Sequence, residues 1–250
     1  MKIAPCNTFG GEFTVPGDKS ITHRAVMFNA AAEGEAHITG ALPGEDCLST
    51  AACMRALGAT VEFGGTEVRV VGTPTFRDAD CDCGNSGTTM RLLTGLLAGR
   101  KVHAALTGDP SLSSRPMERV ARPLRELGAV IGTTDGHAPV TVSPARLRGC
   151  TVRTGVASAQ VKSAVILAAL GAEGETVVEE PILTRDHTER MLAAMGADIR
   201  AEGTRVTVRG SALHAADVHV PSDISSAAYF LALGALRGEV LCKNVGVNPT

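Results

Sequence analysis

The sequence predicts an α/β protein assembled from a repeated β-α-β-α-β-β unit, and three observations carry that prediction. First, three hairpin-like stretches recur: LGATVEFGGTEVRVVG at 57–72, LGAVIGTTDGHAPVTVSP at 127–144 and MGADIRAEGTRVTVRG at 195–210. Their leading residues Leu57, Leu127 and Met195 stand 70 and 68 positions apart. Second, a strand-turn-helix pattern occurs four times, in FTVPGDKSITHRAVMF, CDCGNSGTTMRLLTGLL, TVRTGVASAQVKSAVILAAL and VHVPSDISSAAYFLALGAL, with spacings of 67, 71 and 67 between Gly17, Gly84, Gly155 and Ser222. Self-similarity at a fixed period is the mark of a repeated supersecondary unit. Third, 44% of the residues are hydrophobic but only 3% aromatic, with no Trp. The core is therefore filled by Ala, Val, Leu and Ile, and such small side chains bury enough area only where regular elements pack closely.

The elements follow in order within each unit. A short alternating strand meets a small-residue turn, and an apolar helix opens. After that helix ends near Gly, HITG, HAALTG and TVVEEP read as strands. A second helix comes next; in the middle unit Met117, Val120, Leu124 and Leu127 step by three and four and share one helical face. Pro116 suits the first helical position, and Pro123 inside the run predicts a kink or break. In the third unit Asp186 and Glu189 have capping-box spacing. Each unit closes on the hairpin, whose X-Gly turn is flanked by alternating apolar residues. Three units fit between about residue 12 and residue 215. A fourth opens at VHVPSDISS, and its hairpin is expected past position 250. Residues 221–250 either cap the array or begin a further unit of a longer or split protein; the second reading is preferred, since a half-unit leaves apolar surface uncovered.

Composition excludes several classes of function. The formal net charge of −2 provides no basic field for nucleic acid or acidic membrane. No apolar run approaches the roughly 18 residues of a membrane span. The N-terminal MKIAPCNTFGGE lacks an apolar signal region. Seven cysteines form no dense framework and suit reduced thiols, so a cytoplasmic location is expected.

The four turn-to-helix corners are where chemistry is expected. Helix N-termini expose unpaired N–H groups and a partial positive charge that attract anions. Ser20, Ser86, Thr88, Ser158 and Ser225 lie at these corners, where Ser and Thr also serve as ordinary N-caps. The cations tip the balance. Lys19 and Arg24 stand in the first turns of one helix, against its dipole, and Arg115 and Arg185 stand just before second helices. Cations placed this way point to an anionic ligand with at least one phosphate. Asp223, in the fourth corner, is either an N-cap or a general acid or base facing the same anion. The PGDKS stretch lacks P-loop glycine spacing, and no GxGxxG follows a strand. Cys81 and Cys83 have no second Cys or His pair at ligand spacing, so no metal is expected and they read as small buried hydrophobes. His23 and His187 carry no metal-binding motif, and no nucleophile elbow occurs.

In these residues the sequence resembles the 5-enolpyruvylshikimate-3-phosphate (EPSP) synthase family. The carriers are PGDKSITHRA at 16–25, DCGNSGTTMRLL at 82–93, LTGDPSLSSRPM at 106–117, SAQVKSA at 158–164, TRDHTE at 184–189 and PSDISSAA at 221–228, in family order. The resemblance implies an inverted, barrel-like α/β array of two domains, each with three βαβαββ units. Residues 18–220 would form one complete domain, with 1–17 and 221–250 segments of a second. It implies transfer of the carboxyvinyl group of phosphoenolpyruvate to the 5-hydroxyl of shikimate 3-phosphate, releasing phosphate, without metal or organic cofactor. By position, Lys19, Ser20, Arg24, Ser158, Gln160 and Asp223 would hold shikimate 3-phosphate, with Arg185 beside them. Lys19, Gly87, Arg115 and Gln160 would hold phosphoenolpyruvate, and Asp223 would accept the hydroxyl proton. Further family ligands lie past residue 250, so this chain alone is expected to bind shikimate 3-phosphate weakly and to turn over negligibly. A missing C-terminal half is the expected partner, and the family protein is expected to be a monomer at full length. The alternatives are a UDP-N-acetylglucosamine enolpyruvyl transferase-like enzyme, which KSITHRA and SAQVKS fit less well, and a non-catalytic half that needs a partner chain.

Overall fold

The structure, a computed structural model of the 250-residue chain, describes residues 9–250. After β1 (Phe9–Phe13), the first unit runs through α1 (Lys19–Ala30), β2 (Glu35–Thr39), α2 (Glu45–Ala56), β3 (Thr60–Gly64) and β4 (Glu67–Val71). The second comprises β5 (Cys81–Asp82), α3 (Gly87–Arg100), β6 (Ala104–Thr107), the single turn α4 (Pro110–Ser113), α5 (Glu118–Glu126), β7 (Val130–Thr134) and β8 (His137–Ser143). The third comprises β9 (Thr151–Arg153), α6 (Ala159–Ala169), β10 (Glu175–Glu179), α7 (His187–Ala194), β11 (Ile199–Glu202) and β12 (Arg205–Arg209). Then follow β13 (Val218–His219), α8 (Ile224–Arg237) and β14 (Gly238–Cys242).

Three four-stranded sheets share one topology: β13-β2-β4-β3, β5-β6-β8-β7 and β9-β10-β12-β11. In each, the edge strand is parallel to its neighbour and the last two strands form the predicted hairpin. The sheets stay open and separate, so "barrel-like" describes only their arrangement. One expectation is corrected. The strand before α1 is not the first strand of the first unit: β1 pairs in parallel with β14 instead. Its place is taken by β13, read from sequence as the start of a fourth unit, whose Val218 lies opposite Ile38. Alternation alone identifies a strand but not its partner.

Helices α1, α3 and α6 are buried nearly all round; in α3 only Thr88 and Arg100 escape full burial. Apolar residues on every face mark a helix destined for the interior. The small-residue core works as expected: α3 and α6 cross so closely that a Cβ on Gly95 would lie 2.0 Å from Ala164 O. The outer helix α5 buries Met117, Val120, Leu124 and Leu127 as its spacing predicts. Pro123 lies inside α5 without breaking it. A second correction concerns α7: Asp186 makes no side-chain cap bond, and Glu189 turns inward to Lys162. Cys81 and Cys83 are buried as expected, and His23 is wholly buried too.

The two chain links run antiparallel past each other. Gly17 bridges Ser222, the Asp18 N–H donates to Pro221 O at 2.8 Å, and the Asp223 N–H donates to Pro16 O at 2.9 Å. Pro16-Gly17-Asp18 and Pro221-Ser222-Asp223 thus form a near-symmetric crossing beneath the N-termini of α1 and α8.

Candidate functional site

All four corner helices carry side-chain N-caps. Asp18 accepts from Ile21 N, Ser86 from Thr89 N, Ser158 from Val161 N, and Asp223 from Ser225 N and Ser226 N. Capping satisfies one or two of the N–H groups at each helix start and leaves the rest for a ligand. Three of these starts, those of α1, α3 and α6, meet at one cavity of about 160 Å³. Ser20 and Arg24 line it from α1, Thr88 from α3, Ser158 and Gln160 from the start of α6, and Arg185 and His187 from the segment entering α7.

Arg24 is buried at the back of this cavity. Its Nε donates to Thr188 Oγ1 at 2.7 Å, Nη1 to Ser20 O at 3.0 Å and Nη2 to Ser163 Oγ at 2.9 Å. A guanidinium carries five N–H groups, so two remain for a ligand. Burial pushes its pKa down to about 10, so the group remains positive at neutral pH. Arg185 is exposed and makes no hydrogen bond or ion pair with the described residues. Burial and the neighbouring Arg24 lower the pKa of His187.

Beside the cavity lies a second cationic cluster, built around Gly87. A Cβ at Gly87 would stand 2.8 Å from Arg91 Nη1 and 3.3 Å from Arg115 Nη1, so two guanidinium groups close on this one backbone position. Arg91 Nη1 donates to Gln160 Oε1 at 2.9 Å, and Gln160 Nε2 donates to Thr88 Oγ1 at 3.0 Å. Gln160 thereby joins the cluster to the cavity. Arg91 is 4% exposed, its Nε lacks a partner among the described residues, and burial followed by the charges of Arg119 and Arg115 pushes its pKa down to about 10. Arg115 Nη2 donates to the neutral Asn85 Oδ1 at 2.6 Å. A buried or half-buried cation without a carboxylate is costly unless an anion arrives to meet it.

Of the predicted residues, the structure brings Ser20, Arg24, Ser158, Gln160 and Arg185 to one cavity, and Gly87 with Arg115 to the cluster beside it. Lys19, next to Ser20, is not among the residues that line the cavity. Its Nζ pairs with Asp46 at 3.1 Å, and its backbone N–H reaches Asp223 Oδ2 at 3.4 Å. Asp223 lies at the link crossing, where Oδ1 takes the Ser225 N–H at 2.7 Å. Its N-cap reading is therefore realised in the geometry. Sequence reasoning placed Thr88 at its corner without giving it a ligand, and missed Arg91 and His187 as site residues. The signal for Arg91 was present: an arginine interrupting the apolar run of GTTMRLLTGLL, four residues from Gly87, where burial without pairing is rare.

Comparisons with known proteins identify the family. A profile of the family described as EPSP synthase (3-phosphoshikimate 1-carboxyvinyltransferase) matches residues 3–250. The chain is 53% identical over 259 residues to 3-phosphoshikimate 1-carboxyvinyltransferase of Desulfitobacterium hafniense, with 100% of this chain and 60% of that protein covered. It is 52% identical over 261 residues to the protein of that name from Gloeobacter violaceus, with the same coverage. The solved EPSP synthase of Acinetobacter baumannii superimposes with a TM-score of 0.91 at 48% identity, covering 98% of this chain and 58% of that one. The chain thus spans about 60% of the length of the curated relatives it matches. A match that runs from residue 3 to residue 250 and a shared fold at this identity settle the grouping: the chain belongs to the EPSP synthase (3-phosphoshikimate 1-carboxyvinyltransferase) family.

Proposed function

We propose that these 250 residues supply the larger part of an enzyme that moves the carboxyvinyl group of phosphoenolpyruvate onto the 5-hydroxyl of shikimate 3-phosphate. The observation that carries the proposal is the meeting of three helix N-termini with guanidinium groups that lack carboxylate partners. The cavity of Ser20, Arg24, Ser158, Gln160 and Arg185 takes the phosphate of shikimate 3-phosphate. The cluster of Gly87, Arg91 and Arg115, together with Lys19, takes phosphoenolpyruvate. Two phosphorylated acids at about 4 Å repel by about 1 kcal/mol per charge pair even in water, and several-fold more in a site with restricted water. Arginines on both sides offset that repulsion and stabilise charge on the departing phosphate. In the reaction, the 5-hydroxyl oxygen bonds to C2 of phosphoenolpyruvate, its proton passing to Asp223, while C3 takes a proton. One C3 proton and the phosphate then leave the tetrahedral adduct to give the enol ether, and the proton held by Asp223 departs with the phosphate.

We assign to Asp223, which caps α8 at the link crossing, acceptance of the 5-hydroxyl proton. Its carboxylate takes the N–H groups of Lys19, Ser225 and Ser226 and, with about four lone-pair sites, retains capacity for that proton. We also propose that residues 18–220 form one three-unit domain, while 1–17 and 221–250 belong to a second. The pairing of β1 with β14, and of β13 with the first sheet, supports that division. Calorimetric titration of the purified chain with shikimate 3-phosphate, and a phosphate-release assay with both substrates, test this reading. Weak binding with negligible release is expected. No binding of shikimate 3-phosphate at millimolar concentration would overturn the ligand assignment, and rapid phosphate release would overturn the dependence on a second domain.

A further inference from the structure

A buried charge cluster behind the cavity takes no part in the proposed chemistry. Lys162 stands near the start of α6, where an ammonium group opposes the helix dipole. It is 1% exposed, and its Nζ meets Glu180 Oε1 at 2.8 Å, Glu189 Oε1 at 2.8 Å and Thr184 O at 3.1 Å. Two ammonium donors are thus hydrogen-bonded, and Glu189 completes the cluster as an ion pair. The Glu180 carboxylate also takes the Thr184 N–H at 3.1 Å and the Thr184 hydroxyl at 2.5 Å.

These bonds have a direction. Glu180 follows β10, Thr184 immediately precedes Arg185, and Glu189 lies in the first turn of α7. One lysine therefore pins the segment between β10 and α7 at its beginning, just before Arg185, and at its exit. Two further bonds lie only at its ends, from the Glu180 N–H to Thr204 O at 3.0 Å and from Asn248 Nδ2 to Asp186 Oδ1 at 3.0 Å, while Ile182 and Leu183 between them are 65% and 45% exposed. The same first turn of α7 contributes Thr188, whose hydroxyl accepts from Arg24 Nε. Replacing a buried ion cluster with apolar residues often leaves a fold as stable or more so, so stability alone is a weak account of such a group.

We infer that Lys162, Glu180 and Glu189 are positioning residues, which set the 180–188 segment so that Arg185 and Arg24 face one phosphoryl group. The inference rests on the assignment of the cavity to shikimate 3-phosphate. It concerns how the site is held, not which atoms touch the substrate.

The test measures calorimetric affinities of the 250-residue chain for shikimate 3-phosphate and for shikimate. The ratio of the two isolates the contribution of the phosphate. Arg185→Ala, at an exposed position, is expected to reduce that ratio about tenfold, as the loss of one charge-assisted contact does. Lys162→Met is expected to reduce it to a similar degree, and the double variant to be no worse than either single one, because both remove the same contact. A merely structural lysine would lower the melting temperature and leave the ratio unchanged, and that result overturns the inference. Should Lys162→Met fail to fold, Thr184→Val decides, since it removes only the hydroxyl bond to Glu180. A several-fold fall in the ratio supports the inference, and an unchanged ratio refutes it. Absence of shikimate 3-phosphate binding by the unsubstituted chain would overturn the cavity assignment and this inference with it. Binding by that chain, with an unchanged ratio in the variants, would overturn the inference alone.

Discussion

Lowering the pH should strike this fold first at His23. The imidazole is 0% exposed, and its Nδ1 shares a hydrogen bond with Thr50 Oγ1 at 2.7 Å. Its Nε2 has no partner among the described residues, so the charged form would bury an N–H with nothing to receive it. Burial is the main reason that its pKa falls from 6.5 to about 3, with Arg24 and Lys19 adding to the effect and Asp46 opposing it. The sign follows from linkage. The unfolded chain takes up this proton near pH 6.5 and the folded chain does not, so the stability is fully present above 6.5 and is lost as pH falls towards about 3. Each pH unit in that window costs about 1.4 kcal/mol, so a drop from about pH 6.5 to about pH 4.5 removes roughly 2–3 kcal/mol through this one residue. That is a large share of the 5–15 kcal/mol or so that holds a typical domain. Urea denaturation followed by circular dichroism reads the effect, with His23→Asn as the reference. The substitution abolishes the titration and leaves other acid-sensitive groups in place, among them His187 and the arginine-paired Glu35, Glu118 and Glu173. The native protein should lose roughly 2–3 kcal/mol more than the variant over that interval. Equal losses in the two would refute the reasoning.

Two further outcomes are expected. Gly87→Ala forces Arg91 Nη1 back by about 0.6 Å, from 2.8 Å to an ordinary 3.4 Å contact, and crowds Arg115 at 3.3 Å. In a chain of full family length carrying these residues, phosphoenolpyruvate affinity should fall about fivefold and shikimate 3-phosphate affinity less than about twofold, since a displaced side chain costs about 1 kcal/mol; equal weakening would contradict the arrangement of two separate anion sites. Asp223→Ala removes a bonded N-cap and should cost about 1 kcal/mol, whereas Asp223→Asn retains an acceptor and costs less, as calorimetric melting of the two variants will show.

The repeat was readable in the sequence because each hairpin and helix start is specified locally. Turn residues, alternation and caps lie within a few positions of one another. The pairing of β1 and β13 was not readable in that way, because both look like first strands and only the tertiary fold decides which sheet accepts which. The site divides along the same line. Lys19, Gly87, Arg115 and Gln160 sit in the corners, where polar residues stand out against loops. Arg91 and Lys162 sit inside apolar helical runs, and their roles depend on partners 69 and 18 residues away. The cap reading of Asp186 failed for a related reason: Glu189 had a stronger partner in Lys162 than in a backbone N–H.

The shortage of aromatic residues and the geometry of the site have one cause. Helices α3 and α6 run in parallel, with Thr88 beside Gln160, Gly95 against Ala164 and Gly99 against Ala168. At that separation no large side chain fits between them, so the contact is built from Gly and Ala. What the core gives up in buried area per residue it recovers through backbone-close packing. The same closeness brings the two helix starts to one level, within reach of a single glutamine. Gln160 receives Arg91 on one side and donates to Thr88 on the other only because the helices below it nearly touch. A bulkier crossing would separate the two N-termini and divide their positive ends between two distant places. Glycines deep in the core are therefore as much a part of the anion site as the arginines that line it.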